Sequence, residues 1–168
     1  GDTLTGIEQA IGTSQNDAIF GSGLADTIYG GAGDDVMSGG AGNDSIFGEA
    51  GNDTLVGGLG ADALDGGAGT DTANYSAATA AVSVRMDGVA GTGGEALGDV
   101  LTSIEQVFGS AFADTISGSF GNDVIVGNAG DDNLQGLDGD DQISGGTGND
   151  TLPGGDGNLY DDDAAARA

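Results

Sequence analysis

Cysteine, histidine and lysine are all missing from the 168 residues, and only two basic side chains, Arg85 and Arg167, stand against 28 acidic ones. Without cysteine, neither a disulfide framework nor a thiolate metal site is available. Without histidine and lysine, the usual general bases, Schiff-base amines and zinc ligands are gone. Carboxylates, hydroxyls and three tyrosines are the reactive groups left. The formal charge of -26 excludes nucleic acid as a direct partner. An anionic membrane surface would repel such a chain unless cations bridged the two. No apolar run approaches the roughly 20 residues of a membrane-spanning helix, so direct membrane insertion is not expected. At Gly1-Asp2-Thr3-Leu4 no basic region followed by an apolar one is legible, so no secretory leader is read there.

Glycine is what the chain has in abundance, 37 residues. With so much charge and so little apolar surface, this composition reads as disordered unless something offsets backbone entropy and repulsion. Divalent cations held between carboxylates would do so by coupling folding to metal. The carboxylates are spaced for it. Asp17, Asp26, Asp35, Asp44, Asp53, Asp62 and Asp71 recur every nine residues, and Asp114, Asp123, Asp132, Asp141 and Asp150 resume the period after a gap. A nine-residue unit cannot enclose a core, so its apolar residue must be buried by stacking on the same position of a neighbouring coil.

Each aspartate sits in a glycine-rich frame. Gly30-Gly31-Ala32-Gly33-Asp34-Asp35-Val36-Met37-Ser38 runs into Gly39-Gly40-Ala41-Gly42-Asn43-Asp44-Ser45-Ile46-Phe47, and the units from Gly57 to Asp65 and from Gly145 to Pro153 fit as well. The frame resembles Gly-Gly-x-Gly-x-Asp-x-U-x, with U a large aliphatic residue, the calcium-binding nonapeptide of the RTX (repeats-in-toxin, haemolysin-type) family. The resemblance implies an all-β fold: a right-handed parallel β-roll, or β-solenoid, of nonapeptide repeats, here in two blocks joined by a connector. It implies Ca2+ as cofactor and calcium ions as the partner. It further implies a secreted, extracellular or cell-surface protein, exported by one-step (type I) secretion through a C-terminal signal. The tail from Asp161 to Ala168 is a poor example of that signal.

Six residues for a turn and three for a strand let two nonapeptides close one flattened coil. Turns two repeats apart then share an edge at one strand spacing, on the order of 4.8 Å. That suits oxygens from both turns coordinating one calcium at roughly 2.3–2.6 Å. Glycine permits the backbone conformations such a turn needs and lets carbonyls face inward. Pairing the register gives eight sites: Asp17 with Asp35, Asp26 with Asp44, Asp35 with Asp53, Asp44 with Asp62, Asp53 with Asp71, Asp114 with Asp132, Asp123 with Asp141, and Asp132 with Asp150. About eight ions would lower the charge of -26 to about -10. The first two sites are expected to be the weakest, because Thr13, Ser14 and Gln15 interrupt one turn and Leu24 replaces a glycine in the next. The family implies that each repeat aspartate is a ligand, interior ones bridging two ions, and that turn carbonyls complete the shell. In the first block these are Gly30, Ala32, Asp34, Gly39, Ala41, Asn43, Gly48, Ala50, Asn52, Gly57, Leu59 and Ala61. In the second they are Gly127, Ala129, Asp131, Gly136, Asp138 and Asp140.

The organisation expected is a partial connector unit at 1–11, roll blocks at 12–74 and 109–160, a connector or cap at 75–108, and an acidic, alanine-rich tail at 161–168. Eighth-place Ile19, Ile28, Met37, Ile46, Leu55 and Leu64, then Ile116, Ile125, Leu134, Ile143 and Leu152, should form apolar ladders inside. Ala73 is too small for that row and marks where the first ladder stops. Pro153 and Leu159, the latter where aspartate belongs, end the second. In the connector Val82, Val84 and Met86 alternate with Ser83 and Arg85, a half-buried strand. Residues 1–9 match 98–106 at an offset of 97, which points to a piece of a longer protein built from connector-plus-roll units. Tyr29 and Phe47 lie two repeats apart on one face, covering the roll or offering a self-association surface.

Other readings carry less. Acidic stretches near Asp132 and Asp141 lack the glutamate that closes an EF-hand loop, and no Gly-Lys-Ser/Thr marks a phosphate loop. The aspartates share one repeated environment with no distinct acid, base or pocket, so catalysis within the chain is not expected. The parent protein is read as a secreted hydrolase or toxin active elsewhere, or as an adhesin or surface-layer protein. Ice binding would need regular threonine rows, and Thr27, Thr54, Thr72, Thr115 and Thr151 are scattered.

Overall fold

A computed structural model of the chain describes residues 2–3, 8–153 and 158–160. The tail at 161–168 and parts of the opening segment lie outside the described residues. The repeats form short strands: β1 (Asp2–Thr3), β2 (Gln9–Ile11), β3 (Ala18–Phe20), β4 (Thr27–Ala32), β5 (Val36–Ala41), β6 (Ser45–Ala50), β7 (Thr54–Leu59), β8 (Ala63–Ala68) and β9 (Thr72–Asn74). The connector adds β10 (Ser83–Arg85), a 3-10 turn at Gly94–Ala96, β11 (Val100–Thr102) and β12 (Gln106–Phe108). The second block supplies β13 (Thr115–Ser117), β14 (Val124–Val126), β15 (Asn133–Gln135), β16 (Gln142–Ser144) and β17 (Asn158–Tyr160).

All pairings between these strands are parallel. Val36 faces Thr54 and Ser45 faces Ala63, so partners stand 18 residues apart and two nonapeptides make one coil. One sheet of nine strands, β1-β3-β5-β7-β9-β12-β14-β16-β17, runs through both blocks. The opposite side is made of β11-β8-β6-β4-β2 and β10-β13-β15. The molecule is a parallel β-roll.

Between the sheets the eighth-place side chains stack, with Ile28, Met37, Ile46, Leu55, Ile116, Ile125 and Leu134 wholly buried. Each contributes about 1.5–3 kcal/mol relative to an exposed side chain. Strand register, not side-chain bulk, carries the row onward: Ala73 is buried in it, paired with Leu55 on one side and Val107 on the other. The first ladder therefore does not stop at Ala73 but passes into the connector.

The connector belongs to the stack. β11 lies on β8 with Val100 opposite Ala63, and β12 lies between β9 and β14. β10, with Val84 buried, supports β13. Three residues, Ser103 to Glu105, take the chain from β11 to β12, where a roll turn such as Gly66 to Asp71 uses six. The end of the second block also departs from expectation. Gln142 pairs with Asn158, 16 residues on, and Ile143 with Leu159. That turn is two residues short, so Leu159 takes the register of the apolar row instead of the aspartate place, and the sheet continues past Pro153.

Candidate metal sites along the turn edges

The second- and fourth-place glycines of a turn adopt left-handed backbone, as at Gly31 (φ 106°) and Gly33 (φ 118°), which swings peptide oxygens toward the neighbouring coil. The sixth-place aspartates are thereby turned inward. Asp26, Asp35, Asp44, Asp53, Asp62, Asp71, Asp114, Asp123, Asp132 and Asp141 are buried, while Asp17 and Asp150, at the outer coils, are half-buried.

All eight expected pairs are brought together. In each, the peptide N–H of the earlier aspartate donates to Oδ1 of the later one. Donor to acceptor, the pairs are Asp17 to Asp35 (2.7 Å), Asp26 to Asp44 (2.8 Å), Asp35 to Asp53 (2.8 Å) and Asp44 to Asp62 (2.8 Å). The rest are Asp53 to Asp71 (2.8 Å), Asp114 to Asp132 (2.7 Å), Asp123 to Asp141 (3.0 Å) and Asp132 to Asp150 (2.9 Å).

The other oxygen divides the aspartates into two groups. Oδ2 of Asp35, Asp44, Asp53, Asp62, Asp71, Asp132, Asp141 and Asp150 is buried with no hydrogen-bond partner. A buried carboxylate oxygen left so is costly, and needs a proton, a donor or a cation. Beside it lies a space that only glycine leaves open. A β-carbon on Gly48 would collide with both Asp53 Oδ2 and the Gly66 carbonyl oxygen, and one on Gly127 with Asp132 Oδ2 and the Gly145 carbonyl oxygen. Carboxylate and carbonyl oxygens from successive coils thus converge on one cradle, the donor set a hard divalent cation takes. Among the described residues no three carboxylates cluster, so such a site must draw on peptide oxygens.

In Asp17, Asp26, Asp114 and Asp123 Oδ2 is already served, although Asp26 Oδ1 is buried without a partner. The second place of those turns is Thr13, Ser22, Ser110 or Ser119, whose peptide N–H donates to Oδ2 of the aspartate four residues on. The hydroxyl donates to the same carboxylate. Apart from Thr13, read only as an interruption of its turn, these hydroxyls were not singled out from the sequence, although each fills a glycine place at the start of a block.

The first-place carbonyls of Gly30, Gly39, Gly48, Gly127 and Gly136 stand against the turn of the preceding coil. Among third-place carbonyls, Ala50 accepts from Gly33 N–H and Leu59 from Gly42 N–H. At the fifth place the side chains build a further ladder: Asn43 Oδ1 accepts from Ala61 N–H, Asn52 Oδ1 from Thr70 N–H, and Asp131 Oδ1 from Asn149 N–H.

Electrostatics follow from this packing. Burial, reinforced by the carboxylate one coil away, pushes Asp71 and Asp132 up to about 6. Asp44, Asp53, Asp62 and Asp123 are raised by the same leading cause, with donated N–H groups pulling the other way. Asp99, buried beside Asp62, also rises to about 6.

Asp99 and Glu105 are carboxylates that the row of repeat aspartates leaves out: Asp99 is off the nine-residue period, and Glu105, nine residues before Asp114, stands on it as a glutamate. Asp99 Oδ1 accepts from Asp62 N–H at 2.9 Å, and Glu105 Oε2 from Asp71 N–H at 2.9 Å. Each precedes a strand, so each occupies the sixth place of an irregular coil. The signal was present as Asp99-Val100-Leu101-Thr102 and Glu105-Gln106-Val107-Phe108, two copies of carboxylate-x-apolar-x. On the outer face of the β4–β6 side, Tyr29 and Phe47 stack with ring centroids 5.0 Å apart.

No curated protein matches the chain. The family model for the RTX calcium-binding nonapeptide repeat matches in four copies, at residues 11–46, 38–73, 103–134 and 126–158. These cover both blocks and the turn-strand unit that follows Ser103. By its repeats, its parallel roll and its inward aspartates, the chain belongs to the RTX calcium-binding nonapeptide repeat family.

Proposed function

We propose that this chain is a calcium-binding β-roll module of a secreted bacterial protein, disordered in low intracellular calcium and folded by millimolar calcium outside the cell. The supporting observation is the row of buried, unpartnered Oδ2 atoms, each against a first-place glycine. The ions sit between successive coils of one edge, held by the sixth-place aspartates and first-, third- and fifth-place carbonyls. About eight ions follow from the register. The sites of Asp35 with Asp53, Asp44 with Asp62, Asp53 with Asp71 and Asp132 with Asp150 bind most tightly, because Oδ2 of the earlier carboxylate, the oxygen against the first-place glycine, is free there. The four that begin at Asp17, Asp26, Asp114 and Asp123 bind less tightly, because a hydroxyl residue already serves that oxygen.

The role is structural and supports secretion, and the chain itself performs no catalysis. Activity of a parent hydrolase or toxin would lie outside it, and an adhesin or surface-layer role uses the roll as a spacer. Self-association through the Tyr29/Phe47 face belongs to the same reading, and sedimentation of a Tyr29→Ser, Phe47→Ser variant tests it. Calcium titration by calorimetry with Asp53→Asn tests the site assignment. Asparagine keeps the acceptor for Asp35 N–H but removes the charge shared by two sites. Loss of about two ions from the first block supports the assignment, and an unchanged isotherm rejects it.

A further inference from the structure

Where the first roll block meets the connector, the turn from Gly66 to Asp71 faces the three-residue corner Ser103-Ile104-Glu105. We propose that this seam is a divalent-cation site of its own, formed by Asp71 Oδ2, the Ser103 carbonyl oxygen and the Glu105 carboxylate, and that it takes calcium. The inference rests on the reading of the roll turns as calcium sites and adds Ser103 and Glu105, which the aspartate pairing leaves out.

Asp71 is fully buried, and its Oδ2 has no partner. The cradle of the regular sites is reproduced here from a different backbone. A β-carbon on Gly66 would collide with Asp71 Oδ2 and the Ser103 carbonyl oxygen, just as one on Gly48 meets Asp53 Oδ2 and the Gly66 carbonyl oxygen. Ser103 is left-handed at φ 50°, a conformation that a serine adopts only under constraint, and it is this residue whose carbonyl faces Gly66. Glu105 then does for Asp71 what Asp71 does for Asp53, accepting its peptide N–H at 2.9 Å against 2.8 Å. A corner three residues shorter sets the sixth place in a different approach, and the longer side chain of glutamate spans the difference.

On the opposite edge the connector carboxylate that caps Asp62 has a protein donor of its own. There Asp99 accepts from Asp62 N–H, and the Tyr75 hydroxyl donates to Asp99 Oδ2 at 2.9 Å. Asp62 Oδ2 and Asp71 Oδ2, the oxygens beside the two connector carboxylates, both lack a partner. Two carboxylates and a peptide carbonyl are hard oxygen ligands, the class calcium prefers. An ion at this place clamps the connector onto the roll and lets the first block's folding propagate into the second.

The test is calorimetric titration of the whole chain with calcium chloride, wild type against Glu105→Gln. Glutamine retains an oxygen to accept Asp71 N–H, so the strand pairing is kept. Loss of one bound ion, with the remaining isotherm unchanged, is expected. A Glu105→Gln isotherm equal to that of a calcium-binding wild type overturns the seam site and leaves the roll sites standing. A wild type that binds no calcium overturns both. Anomalous diffraction from wild-type crystals grown in calcium gives a check independent of the variant's folding. A peak between Asp71 and Glu105 supports the site, and peaks confined to the roll turns overturn it.

Discussion

At the second place of a nonapeptide, glycine or a hydroxyl residue decides what the aspartate four residues later has left to offer. Ser22 satisfies Asp26 Oδ2 through N–H at 2.7 Å and Oγ at 2.9 Å, whereas Gly31 and Gly40 leave the corresponding oxygens of Asp35 and Asp44 bare. The hydroxyl turns resemble built-in substitutes for metal and open each block with coils that depend less on ions. Ser22→Gly should therefore move the Asp26 site toward the others. Losing the hydroxyl bond should cost the calcium-free state about 1 kcal/mol, while calcium affinity at the Asp26 and Asp44 pair rises several-fold in calorimetric titration. Unaltered affinity would show that the hydroxyl does not compete with the ion.

At the level of the coil, the constraint is close approach of successive turns. Gly48→Ala places a methyl group against both Asp53 Oδ2 and the Gly66 carbonyl oxygen. It should abolish the cooperative calcium-induced transition seen by circular dichroism. Gly23→Ala, where an added carbon meets nothing within 4 Å, should leave that transition in place. Equal behaviour of the two variants would mean that the cradle is not the site. The regular coils were legible because a fixed nine-residue period ties aspartate, glycine and aliphatic residue to one geometry, so eight aspartate pairs and two ladders could be read directly. The irregular coils were not. An insertion hides the coil of β11, a short corner takes Glu105 out of the first block's count although it lies nine residues before Asp114, and a two-residue deletion moves Leu159 from the aspartate place into the row of Ile143. In each case strand pairing restores a register that counting residues loses. The capping hydroxyls escaped for another reason: they look like mere departures from consensus until their hydrogen bonds are seen.

Across the whole molecule, the single nine-stranded sheet makes both blocks and the connector one cooperative unit, and the charge of -26 makes that unit conditional. No helix among the described residues is long and apolar enough to cross a membrane. Buried carboxylates give the condition a pH signature. Asp71, Asp99 and Asp132 sit near about 6 when folded, above their ordinary value of 3.8. The folded chain therefore holds more protons than the unfolded one between those limits, and its stability falls as pH rises through them. In chelator, lowering the pH from 7 toward about 4 should increase strand content by circular dichroism. In calcium the same change should weaken ion binding, because protons compete for ligands that the ion needs ionised. Strand content in chelator that is flat or falling over that interval would contradict the assignment of these raised groups.

The central claim is that ions between coils supply the cohesion this apolar-poor chain lacks. Its most direct measurement is scanning calorimetry paired with far-ultraviolet circular dichroism, in EGTA and after addition of millimolar calcium. The account predicts no thermal transition and a disordered spectrum in EGTA, then a parallel-strand spectrum and one cooperative transition in calcium. A full strand signal with a cooperative transition already present in EGTA would contradict it.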